Sequence, residues 1–295
     1  MDHEHFAVSP DWKWYILLYF FLAGIAGGAY VIGALLRLAG GAGRDRAAER
    51  LAFLVAFPVV LICPILLTLD LGSPGRFWHM LINTTPGQGG VNFVSRSPMS
   101  VGVWALSLFA LVSFVTFVAT LSEVRGGRGA AVRLMAGAGG SLVVLAGALL
   151  GLFVASYTGV LLSVSNQAVW SDTWTLGGLF LASGMSAAAV VVAQFARRRA
   201  GAGTERRLAE ADGWFAVVEL LFVVLFFITL GAAGTAGTVL GHGWALLWVV
   251  VGLGLLVSLL GLARRGMAGA MAVVTPVLVV LGVFALRAVI IFSPQ

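Results

Sequence analysis

The chain has 295 residues, 60% of them hydrophobic and 10% charged, with a formal net charge of +6. Apolar runs of about 20 residues in such a composition mark a polytopic membrane protein. Hydrocarbon offers no partner to free backbone groups, so spans must be helices or a closed barrel, and continuous runs without period-two alternation decide for helices.

The chain opens MDHEHFAVSPDWKWY, acidic and aromatic with no basic leader region, so no cleavable leader is expected. Trp12, Trp14 and Tyr15 read as an interfacial belt. The first span is predicted over 14–36 and carries Tyr19 within its first two turns. GIAGG (24–28) places glycines four apart, the spacing that lets helix backbones approach closely. GGAGRDR (40–46) reads as a flexible basic turn, since the chain contains no phosphate-loop pattern. The second span, 51–71, holds the single cysteine, Cys63, as inert packing, and has Asp70 at its end.

LTLDLGSPGRFWHML (67–81) then gathers Asp70, Arg76 and His79, an acid, a guanidinium and an imidazole, at the end of an apolar run. The longest connection on that side runs from Gly72 to Pro98. RSPMS (96–100) puts Ser97 and Pro98 where an N-cap and first helical residue belong, starting the third span, 99–121. The fourth span, 134–162, repeats the four-residue glycine spacing in GALLG (147–151) and contains the polar trio Ser156, Tyr157 and Thr158. The fifth is predicted over 174–196.

RRRAGAGTERRLAEAD (197–212) reads as a solvated linker with one helical turn. The sixth span, 214–233, contains Glu219, which either snorkels toward Arg206 or Arg207 or stands on a proton path. GAAGTAGTVLGHG (231–243) reads as a short loop or a frayed helix end. Spans at 244–262 and 268–291 complete the set, the last carrying Arg287.

Eight crossings put both termini on one side of the membrane, and allow two four-helix groups within a single domain over 1–295. Fourteen of the eighteen Lys and Arg fall in the odd-numbered connections, which the positive-inside rule assigns to the cytoplasm. Lys13, Arg76, Arg96 and Arg287 lie toward the other face. Both termini are therefore expected to be extracytoplasmic in a cytoplasmic (inner) membrane. The positive charge is then a topology signal in contact with lipid, with no nucleic-acid partner.

With one cysteine, the chain supplies neither a cysteine-ligated iron–sulfur cluster nor a disulfide. His3 and His5 lie in the tail and His79 and His242 near span ends, so no bis-histidine haem and no metal site are expected. A charge at the bilayer centre costs about 2.5–3.5 kcal/mol on insertion scales, so the ionisable groups in spans need a reason. Tyr19, Asp70, Tyr157 and Arg287 fall at similar depth beneath the outer surface. Asp70 either pairs with Arg76 or Arg287 to lock helix ends, or belongs to a pocket with the tyrosines.

FFLAGIAGGAYVIGALL, LDLGSPGRFWHML, RSPMSVGVWAL and YTGVLLS, in this order over the first 165 residues, resemble the NrfD/PsrC family of polysulfide-reductase-like membrane subunits. The resemblance implies a quinone-binding membrane anchor of a respiratory oxidoreductase complex. A ferredoxin-like 4Fe-4S subunit would dock on it and connect it to a molybdopterin catalytic subunit of the polysulfide, thiosulfate or formate type. The exchangeable substrate would be menaquinone or ubiquinone. The family's fourth-helix tyrosine matches Tyr157, whereas its first-helix histidine and asparagine are replaced here by Tyr19 and Ile16.

Quinone chemistry moves two electrons and two protons, while an iron–sulfur partner takes only electrons. The site must therefore join an apolar slot to hydrogen-bonding and acid–base groups. On this reading Tyr157 and Tyr19 bond the headgroup, Asp70 and His79 exchange protons with the outer solvent, and Arg76 tunes Asp70 or faces the partner. Two other classes compete: a proton- or ion-translocating subunit linking Glu219 to Asp70, and a purely structural anchor.

Overall fold

The computed structural model describes residues 10–39, 45–87, 89–127, 129–197, 201–241, 243–263 and 271–295. His3, His5, His242, Arg44, Arg128, Arg198, Arg199, Arg264 and Arg265, on which parts of the sequence reading fell, lie outside them, as do 40–44 of the basic turn and 268–270 of the last predicted span.

The fold is all-α, and the described residues include eight helices long and apolar enough to cross a membrane. They are α1 (Trp14–Leu38), α2 (Arg46–Asp70), α3 (Pro98–Val124), α5 (Gly137–Ser163), α6 (Leu176–Ala196), α7 (Ala202–Ala233), α9 (Trp244–Ala263) and α10 (Met271–Phe292). Two short helices, α4 (Ala130–Leu134) and α8 (Ala236–Leu240), lie in connections. Between α2 and α3 the chain forms a 3-10 helix (Pro74–Met80) and a minimal hairpin, with Ile82 opposite Val91 and Asn83 opposite Gly90.

The helices contact one another as two sets. One is α1, α2, α3 and α5; the other is α6, α7, α9 and α10; the seam is made mainly by α1 and α5 against α6, with α2 also touching α6 and α1 touching α10. Small residues explain the seam. A Cβ on Gly28 would stand 2.7 Å from Ala188 Cβ and 2.9 Å from the Gly184 carbonyl oxygen, and one on Gly24 would stand 3.3 Å from Gly184 Cα. Within the first set, Gly27 of α1 meets the Gly151 backbone of α5 in the same way. The paired glycine spacings of GIAGG and GALLG thus do what close helix packing in lipid requires of them.

The two ends of the bundle are chemically distinct. At one, the backbone N–H of Trp12 donates to Gln295 Oε1 at 2.6 Å, and the Trp170 indole donates to the Ile290 carbonyl at 2.6 Å, so the first and last spans meet there. The opposite end is rich in arginine, and several of these cations are tied down. Arg37 donates to the Met135 carbonyl at 2.6 Å and lies 3.7 Å from Glu49, while Arg50 stands 3.5 Å from Glu123.

Two expectations need correction here. The segment expected as a solvated linker over 197–212 is helical from Ala202 onward, where α7 begins and runs for 32 residues. AGTERRLAEAD is dense in strong helix formers, and an Arg206–Glu210 pair at 2.9 Å supports the added turns. Asp45, at the edge of the supposed flexible turn, is buried and accepts from Thr204 Oγ1 at 2.5 Å and Arg207 Nη1 at 2.6 Å. It clamps the start of α2 to the start of α7. At the other end of α7, Gly234 takes a left-handed conformation (φ +79°) that closes the helix, and α8 follows where a loop or frayed end was expected.

Candidate functional site

Ser97 caps α3 as its sequence implies, its side chain accepting from the Ser100 N–H at 3.4 Å with Pro98 in the first turn. This fixes the Pro98 carbonyl near α5, where Tyr157 donates its hydroxyl proton to that oxygen at 2.6 Å. The Tyr157 ring stacks on Phe153, with centroids 5.5 Å apart, and lies directly against Gly102. Any side chain at position 102 would collide with the phenol, so that glycine makes the tyrosine's seat.

Beneath this point a cavity of about 130 Å³ opens between α1, α2, α3 and α5. Three polar side chains reach it: Tyr19 from α1, Asp70 from the last residue of α2, and Tyr157 from α5. The remaining wall is apolar, including Phe20, Leu67, Leu106 and Leu161. Met99, 55% exposed, carries the cavity to the surface of the bundle, and Met80 closes it from the 3-10 helix.

The three polar groups are not equivalent. The Tyr157 proton is already engaged by Pro98, leaving its oxygen lone pairs for a further donor. Tyr19 is 4% exposed, and among the described residues its ring packs on Phe20 while its hydroxyl makes no hydrogen bond. Asp70 pairs with neither Arg76 nor Arg287; the cation whose field reaches it is Lys13.

Of the other predicted residues, Arg76 and His79 stand on the 3-10 helix and do not line the cavity. Arg76 is exposed. The His79 ring lies edge-on to Trp78 at 4.0 Å, and its carbonyl accepts from the Asn92 side chain at 2.8 Å. Trp12 departs from the expected belt: it stacks on Trp170 at 5.0 Å and forms part of the cavity wall, while Trp14 remains 52% exposed.

Arg287 is fully buried and, among the described residues, has no carboxylate within ion-pairing distance. Its guanidinium donates to Ser183 Oγ at 3.0 Å, to the Phe180 carbonyl at 3.0 Å and to the Phe20 and Val283 carbonyls at 3.3 Å, and it lies 4.9 Å over the Phe180 ring. Hydrogen bonds to a charged group are worth about 1.5–3 kcal/mol each, so four of them outweigh the cost of placing the cation in hydrocarbon. Arg287 is a pin joining α1, α6 and α10. Glu219 is likewise buried, and snorkelling toward Arg206 or Arg207 does not occur, because those cations are held by Glu210 and Asp45.

A match to the family described as polysulphide reductase, NrfD, covers residues 5–295. The chain belongs to the NrfD family. It is also 28% identical over 285 residues to Protein NrfD of Escherichia coli (strain K12), a likeness spanning 85% of this chain and 84% of that protein. The resemblance read from four blocks in the first 165 residues therefore extends through both helix sets. In this NrfD-family chain the cavity falls within the first set, where all four blocks lie.

Proposed function

We propose that the cavity bounded by Tyr19, Asp70 and Tyr157 receives the headgroup of a membrane quinone. The chain would then act as the quinone-exchanging membrane subunit of a respiratory oxidoreductase complex. The observation that carries this reading is the meeting of three oxygen-bearing side chains on one otherwise apolar cavity that reaches the bundle surface. A ring with a lipid tail needs the apolar wall; its two oxygens need donors, acceptors and a proton exchange route.

The two tyrosines divide these roles by their existing bonds. Tyr19, with its hydroxyl uncommitted, donates to a quinone carbonyl. Tyr157 keeps its bond to Pro98 and accepts from the hydroxyl of a quinol. Asp70 sits where the cavity meets the end of α2 and passes protons to the solvent at the bundle end carrying Trp12 and Gln295. His79 and Arg76, beside the opening and off the wall, act on that proton exit or on the partner's docking. Electrons go to or from a 4Fe-4S partner subunit, and through it a molybdopterin subunit, bound at the same end. The arginine-rich end faces the cytoplasm, which makes the cavity end extracytoplasmic in an inner membrane.

The test is turnover of the assembled complex carrying Asp70→Asn or Tyr157→Phe. Quinone-linked activity falls at least tenfold while electron transfer to artificial carriers stays intact. Equal retention of both activities would refute the assignment.

A further inference from the structure

A second polar site lies in the other helix set, away from the cavity. Glu219, Ser186 and Ser258 line a small void of about 10 Å³ with Val251, Gly254 and Gly282. That volume is about what one water molecule occupies. Ser186 also donates to Asp212 Oδ1 at 2.6 Å, joining a second carboxyl to the same void. Ser258 Oγ is buried and leans toward the Asp212 carboxylate, but among the described residues it meets no group at full hydrogen-bonding geometry. A buried, unpartnered hydroxyl on the wall of a water-sized void points to an occupant.

We propose that Ser186, Asp212, Glu219 and Ser258 bind one internal water and together carry an exchangeable proton. Every side chain here is a proton donor or acceptor, and an intramembrane carboxyl with no ion pair among the described residues is a candidate relay group. The charged groups facing the void are few. Arg287 on α10 acts on Glu219 through space, Asp212 lies on Glu219's own helix, and α6 and α9 present the serine hydroxyls. Asp212 and Glu219 are seven residues apart and so share a face of α7, about 10 Å from each other along the axis. Asp212 lies about 15 Å from the start of α7, at the border of its apolar section. The order from the arginine-rich end is therefore Asp212, Ser186, the water, then Glu219.

Infrared difference spectra of the full-length protein in detergent, taken across a pH step, read this site. A protonated-carboxyl stretching band is expected that shifts on transfer to D2O within minutes. It disappears in Glu219→Gln or Asp212→Asn and moves in frequency in Ser258→Ala, with monodisperse elution unchanged. A band that survives both carboxyl substitutions, or that ignores D2O in the unaltered protein, overturns the proposal. A midpoint that follows sodium concentration also overturns it, by assigning the void to a metal cation. Where a carboxyl variant fails to fold, Ser258→Ala carries the test: a band it leaves unmoved overturns the proposal.

Discussion

The two helix sets handle buried polarity in opposite ways. In the first set, polar side chains stand at helix ends around an apolar cavity, and two of them, Tyr19 and Asp70, have no hydrogen-bond or ion-pair partner among the described residues. In the second set and along the seam, the water-sized void at Ser258 and Glu219 apart, polar groups are sealed and bonded: Arg287 has four acceptors, and Asp212 is held by Ser186. Groups left unsatisfied beside space are available to a ligand, whereas groups bonded to backbone carbonyls hold helices together. Substitutions should therefore separate into those that damage the fold and those that damage only binding.

The largest effect is expected at the seam that both sets share. Gly28→Leu drives a side chain into Ala188 and the Gly184 carbonyl, where even a Cβ has no room. Overpacking by single methylenes costs about 1–3 kcal/mol, and a whole leucine exceeds that. Yield of monodisperse protein should collapse; a normal yield would break the account of the seam. Arg287→Met comes next, removing four charge-assisted bonds and lowering stability by about 3 kcal/mol or more, seen as a thermal shift. Affinity for quinone analogues should change far less than stability does.

Cavity variants reverse that pattern. Tyr19→Phe and Asp70→Asn leave the melting temperature nearly unchanged, because neither group has a hydrogen-bond or ion-pair partner among the described residues. Each weakens analogue binding about three- to tenfold, the value of one hydrogen bond. Gly102→Ala pushes the Tyr157 ring into the cavity and should weaken binding with a modest stability loss, which titration and thermal melts report together. The smallest effect belongs to His79→Ala and Arg76→Ala, which leave analogue affinity within about twofold since neither side chain lines the wall. A drop in turnover at unchanged affinity in His79→Ala would sharpen its place on the proton exit.

Much of this contrast could be read in the sequence, and the unread part has physical causes. Hydropathy located eight spans, and the glycine spacings announced the close helix approaches, because both are periodic signals. Common depth placed Tyr19, Asp70 and Tyr157 together, and they do share a cavity. The same reasoning added Arg287, whose partners are mostly backbone carbonyls and leave no mark in sequence. The start of α7 was missed because hydropathy discounts charged turns, although the helix propensity of AGTERRLAEAD was legible. The seven-residue step from Asp212 to Glu219 was also available as a shared helix face. Ser186 and Ser258, single hydroxyls in apolar runs, carry no pattern, and only the packing of α6 and α9 brings them to one void.

The most direct test is equilibrium titration of the purified subunit with a short-tailed quinone analogue, followed through quenching of tryptophan fluorescence, since Trp12 forms part of the cavity wall. The account predicts saturable one-to-one binding that weakens about tenfold or more in a Tyr19→Phe, Asp70→Asn double variant of nearly unchanged thermal stability. Linear, non-saturating quenching, or equal affinity in the double variant, would contradict it.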